Sequence, residues 1–110
     1  MSLDYVKDSL KRKNSSRIEF MLINHIASGS GFIDVKILVD DKEVTESAMM
    51  KIGEQEATEV KPMYVTSNYG DLASVIIKPK ETLKHGYHKI KINCNVENLG
   101  SYSVEFGGTA

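Results

Sequence analysis

The stretch that decides the fold is His88-Lys89-Ile90-Lys91-Ile92-Asn93-Cys94-Asn95-Val96. Apolar residues occupy every second position and lysines or asparagines fill the gaps, which is the period of a strand with one face buried and one in water. The same period appears at Ile33-Asp34-Val35-Lys36-Ile37-Leu38-Val39-Asp40, and from Arg17 onward Ile18, Phe20 and Leu22 alternate with Glu19 and Met21. Further strands are expected over 48–52, 57–61, 63–67 and 72–78, with Tyr102, Val104 and Phe106 in a closing one. Pro62 confines its neighbour to an edge or a bulge.

Turn chemistry separates these runs. Asp40-Asp41-Lys42 suits a tight reversal because aspartate tolerates left-handed backbone, and Gly53, Gly70, Gly86 and Gly100 punctuate the rest. Seven or eight short strands with no long helix between them cannot make parallel crossovers. The expected fold is therefore all-β, an antiparallel immunoglobulin-like sandwich over 17–110. Leu83-Lys84-His85-Gly86-Tyr87-His88 resembles the aromatic corner that pins such sandwiches, although the Cys and Trp pair of antibody domains is missing. Residues 1–16 form a separate segment: Leu3, Val6 and Leu10 have helical spacing, so a short helix or an arm is expected there.

Composition narrows the function classes. At 110 residues, 41% hydrophobic and 26% charged, the chain can bury a core without metal or disulfide. Fourteen basic and 15 acidic residues nearly cancel, which argues against nucleic acid or an anionic membrane as partner. No signal peptide and no run of about 18 apolar residues is visible, so a cytoplasmic location is expected. The single cysteine, Cys94, lies on an apolar face and is expected to be buried and inert.

No catalytic or metal constellation emerges. His25, His85 and His88 lack metal spacing; His88 is expected to bond a backbone carbonyl at a corner, and His85 to be solvated. Asp40, Asp41 and Glu43 lack the glycine and spaced ligands of a calcium loop, Glu54, Glu56 and Glu59 lack a cleft, and Ser28-Gly29-Ser30-Gly31 lacks the lysine of a phosphate loop. Two loops remain as contact regions for a partner. One runs from Asn24 to Gly31 and offers Asn24, His25 and Ile26; the other runs from Tyr64 to Asp71 and offers Tyr64, Tyr69 and Asp71.

Several motifs taken in order carry a family resemblance. Ser9-Leu10 precedes Ile18-Glu19-Phe20-Met21-Leu22; Ile37-Leu38-Val39-Asp40-Asp41-Lys42-Glu43-Val44 follows a glycine-containing loop; then come Gly70-Asp71-Leu72-Ala73 and Leu83-x-x-Gly86-x-His88-x-Ile90-x-Ile92. In this the chain resembles the small β subunit of bacterial C-glycoside deglycosidases. After Cys94 it departs, with Asn98-Leu99-Gly100-Ser101-Tyr102 where that family has a basic and aromatic ending. The resemblance implies a sandwich that stabilises a larger TIM-barrel catalytic subunit in a hetero-oligomer. It also implies that the partner, not this chain, holds a divalent metal, with manganese the expected ion, and cleaves the carbon–carbon bond of 3-oxo-C-glucosides of flavonoid type. The competing class is a stand-alone immunoglobulin-like module for a carbohydrate or protein ligand, for which the absence of Trp leaves little stacking material. An independent small enzyme is the third class.

Overall fold

In a computed structural model of the protein, residues 2–14, 17–24, 29–54, 56–81, 83–97 and 99–110 are described. They form strands β1 (Leu3–Tyr5), β2 (Lys11–Asn14), β3 (Arg17–Asn24), β4 (Gly29–Val39), β5 (Lys42–Glu43), β6 (Ala48–Ile52), β7 (Thr58–Glu59), β8 (Met63–Ser67), β9 (Leu72–Ile77), β10 (Tyr87–Val96) and β11 (Gly100–Thr109), with one 3-10 turn at Thr45–Ser47. Seven of these strands have five or more residues and carry the sandwich.

The strands make two antiparallel sheets. The first runs β1-β3-β9-β6-β7, with β2 also on β3; the second runs β11-β10-β4-β5, with β8 also on β4. Because β3 pairs with β9 and β4 pairs with β10, the chain crosses between sheets as an immunoglobulin-like domain does, and that fold class holds. The alternation read from sequence sets the packing. Ile18, Phe20 and Leu22 of β3, with Val75 and Ile77 of β9, face Ile37 of β4 and Ile90 and Ile92 of β10 across a core from which water is excluded.

Residues 2–14 are not helical. β1 and β2 lie in succession along one edge of β3, pairing Leu3 with Asn24 and Lys11 with Glu19. Between them the chain steps away at Asp8, whose φ is 64°. Ser9 fills the gap: its hydroxyl accepts from the Met21 N–H at 3.0 Å and donates to the Met21 carbonyl at 3.3 Å. The physical reason for the difference is that a helix this short is marginal alone, whereas the β3 edge offers unpaired backbone groups. Leu3 and Leu10 join the core. Tyr5 stacks on Phe106 with centroids 3.8 Å apart, and its hydroxyl accepts from the Leu10 N–H, so the segment seals the sandwich against β11.

Two further expectations are revised. Gly29, Ser30 and Gly31 are not part of a turn; they extend β4 and pair with Ser67, Thr66 and Val65 of β8. Nor does Tyr87 serve as the corner residue. It is exposed and lies over Gly107, whose absent Cβ leaves the space that the phenol occupies.

Candidate functional site

One end of the sandwich gathers most of the residues singled out in the sequence. Asn24 closes β3 and is fully buried. Its carboxamide nitrogen donates to the Ser67 hydroxyl and the Asn68 carbonyl, both at 3.1 Å, and its carboxamide oxygen accepts from the Ser2 N–H. Its backbone receives Gly70 N–H at 2.7 Å and gives its own N–H to the Asp71 carbonyl. Asn24 thus holds β8, the 68–71 turn and the N-terminal strand in one register. It positions this end of the molecule and cannot itself touch a partner through a side chain that is wholly covered.

The turn it holds is built from its own residues. Asp71 N–H returns to the Asn68 carbonyl, Gly70 takes a φ of 86°, and the Asp71 carboxylate accepts from the Asn68 N–H at 2.9 Å. Glycine third in such a turn satisfies the left-handed requirement of a type II reversal. Asp71 is therefore a turn-stabilising residue, while Tyr69 is presented outward at 72% exposure. His25 and Ile26 lie outside the described residues.

Tyr64 lies near the start of β8, the strand that leads into this turn and an edge strand as Pro62 foretold. It is 59% exposed and meets Phe32 of β4 edge-to-face at 5.4 Å; Phe32 is itself 54% exposed. Ser30 and Thr66, two pairs along the same ladder and on the same face, share a hydrogen bond at 2.9 Å. Phe32 was not among the expected contact residues, although it carries a sequence signal. It falls in phase with Asp34 and Lys36 on the outer face of β4, where an aromatic residue has no core to enter. The result is an exposed aromatic pair on an edge strand.

The opposite end holds the second candidate, a cleft of about 640 Å³ lined by the 3-10 turn, by residues 79–81, 83 and 84, and by the apolar side chains of Val39 and Val44. Lys80 and Glu46 approach to 3.9 Å at its mouth. His88 lines it and would be the natural base. Its Nδ1–H donates to the Asp40 carboxylate and its Nε2–H donates to the Lys84 carbonyl, each at 2.6 Å. Since a carboxylate and a carbonyl can only accept, both ring nitrogens carry protons, and the hydrogen bond to Asp40 is the main cause that holds the imidazolium above its ordinary pKa. Asp40 is correspondingly lowered, first by His88 and then by the Lys89 N–H at 2.9 Å.

An imidazole with both nitrogens committed has none left to accept a substrate proton. His88 instead does the work of the corner aromatic, anchoring β10 to the loop before it. Asp40 and Asp41, with φ of 51° and 68°, form the expected tight turn of a β4–β5 hairpin. His85 is exposed, as expected. Cys94 is buried beside Tyr102, and burial pushes its thiol pKa up, which suppresses the reactive thiolate. Among the described residues no three His, Cys, Asp or Glu side chains gather as metal ligands, and no helix is long and apolar enough to cross a membrane.

No family model and no curated protein matches the sequence. Among solved structures, the chain is similar to a family 123 glycoside hydrolase from Clostridium perfringens at 10% identity and a TM-score of 0.44, covering 86% of this chain and 20% of the hydrolase. It is also similar to the archaellum periplasmic stator complex of FlaF and FlaG from Sulfolobus acidocaldarius, at 14% identity and a TM-score of 0.47, covering 98% of this chain and 89% of the other. The N-terminal domain of PorA follows at 13% identity and a TM-score of 0.40, covering 96% and 83%. The chain spans only a fifth of the hydrolase it matches.

Proposed function

We propose that this protein works by binding another protein and not by carrying out a reaction itself. The observation that carries this reading is an exposed aromatic couple, Phe32 and Tyr64, on the edge strand that runs into the turn held by Asn24, where Tyr69 projects. Tyrosine and phenylalanine bury large area at low entropic cost and dominate interface energetics when they are presented on a rigid frame. The cleft at the other end supports the same reading, because its histidine is committed to structural bonds.

Within that reading the resemblance in the ordered motifs names the assembly. The chain is the non-catalytic β subunit of a cytoplasmic C-glycoside deglycosidase, docked on a TIM-barrel subunit that holds the divalent metal and cleaves 3-oxo-C-glucosides. The test is co-expression of the two chains, followed by co-purification and an assay of 3-oxo-C-glucoside cleavage. Association is expected, together with a loss of activity when this chain is omitted. In the same assay Phe32→Ala and Tyr64→Ala each weaken association by roughly 1–3 kcal/mol, or about 5- to 150-fold. Full activity without this chain removes the deglycosidase assignment, and normal association of the doubly substituted chain removes the aromatic end as the contact.

A further inference from the structure

The cleft beside His88 has two walls. One is the β4–β5 hairpin with the 3-10 turn after it, and the other is a strap of residues 79–81, 83 and 84. The strap is tied at both ends. Lys78 N–H donates to the Ser47 carbonyl at 2.9 Å, and Gly86 exchanges backbone bonds with Ala110 at 3.0 and 3.1 Å. Between these ties, among the described residues, two contacts join the walls across the cleft. One is the Lys80–Glu46 ion pair, whose side chains are 83% and 87% exposed, and a pair so open to water contributes little. The other is His88, with Nδ1 on the Asp40 carboxylate of one wall and Nε2 on the Lys84 carbonyl of the other, each at 2.6 Å.

This clasp holds only while the ring is charged. A neutral imidazole keeps one N–H, and the carboxylate is the stronger acceptor, so the proton that stays is the one on Nδ1. Nε2 then turns a lone pair on the Lys84 carbonyl oxygen, and two acceptors do not stay at hydrogen-bond distance. A second donor for that carbonyl is already in place. Arg12 Nη2, on β2, lies 3.2 Å from it and 2.8 Å from the Leu83 carbonyl, and Arg12 reaches both from outside the cleft. We propose that the Lys84 carbonyl is a two-position latch, held by His88 with the cleft closed and passed to Arg12 when His88 loses its proton, so that the strap turns outward and the cleft opens.

The charges around His88 set where this happens. The hydrogen bond to Asp40 favours the charged ring most, and Arg12 opposes it less strongly, so the change falls above the ordinary 6.5. Lys89 faces away, engaged by Asp41 and Glu105. Lys42, Lys80 and Lys84 share the cleft with Glu43, Glu46 and Glu81, three charges of each sign that offset one another.

An NMR titration of the full chain from about pH 5 to 10 tests the latch. The neutral His88 ring is expected to carry its proton on Nδ1, and the Lys84 carbonyl carbon should shift on the same titration curve. On that curve a soluble gadolinium chelate should gain access to the methyls of Val39 and Val44, which line the cleft, and not to those of Val75 in the core. Asp40→Asn lowers the midpoint, Arg12→Gln raises it, and His88→Gln abolishes the step, with circular dichroism verifying each fold. A His88 titration that leaves the Lys84 carbonyl and the valine methyls unmoved, a neutral ring protonated on Nε2, or a step that survives His88→Gln overturns the proposal. The aromatic end takes no part in the latch, so failure here leaves the partner reading standing.

Discussion

His88 and Asp40 stand 48 residues apart in the chain and meet at 2.6 Å, Nδ1 to Oδ2, where the start of β10 faces the β4–β5 hairpin. The contact fixes a charged imidazole between a carboxylate and the Lys84 carbonyl, and it gives the domain a pH profile.

The His88 pKa is raised above its ordinary 6.5, chiefly by Asp40, so its contribution is complete below about 6.5 and is lost as pH rises through the folded value. The Asp40 pKa is lowered from 3.8, chiefly by His88, so its contribution is complete above that and is lost as pH falls through the folded value. Urea denaturation should therefore show a stability plateau between about pH 4 and 6.5 that declines on both sides. His88→Ala should cost about 1–3 kcal/mol on the plateau and flatten the alkaline limb. An alkaline limb unchanged in the variant would show that the pair does not set it.

Asn24→Ala should destabilise the domain by about 1–3 kcal/mol, since it strips partners from the buried Ser67 hydroxyl and the Ser2 N–H. The accompanying sign is faster amide exchange at Gly70, whose N–H donates to the Asn24 carbonyl, and at Asp71, whose N–H closes the turn on the Asn68 carbonyl. Unaltered exchange there would mean that the turn holds itself.

At Gly107 a Cβ would overlap the Tyr87 ring and hydroxyl. Gly107→Ala should cost about 1–3 kcal/mol, and Tyr87→Ala in the same chain should recover much of it, because the phenol is exposed and can be removed without opening the core. Additive costs in the double variant would place the strain elsewhere.

Leu3→Ala should cost about 2–5 kcal/mol, the penalty of a core cavity, although the residue lies in the first strand of the chain. A melting temperature unmoved by this change would return the N-terminal segment to the status of an arm.

How far the sequence could be read depended on the range of the forces involved. The edges of β6 and β8 fall at 48–52 and 63–67, as their alternation indicates, since strand period and a neighbouring proline or glycine are local facts. The N-terminal segment escaped that logic. Leu3 and Leu10 satisfy a helical spacing and also enter the core from either side of the Asp8 step, and only the vacant edge of β3 decides between the two. For the candidate site, the two loops chosen from sequence do meet at one end, yet Asn24 and Asp71 hold the frame there while Tyr64 and Tyr69 are presented.

By itself, then, the sequence determined an all-β chain, its main strands and the inward face of each, because alternation commits every second side chain to the core. Tertiary structure alone decided that His88 reaches Asp40, that Tyr64 pairs with Phe32, and that the Lys84 carbonyl lies between His88 and Arg12. Those relationships depend on which strands become neighbours. That choice is made by the summed burial of a whole core and leaves no mark in the spacing of any one segment.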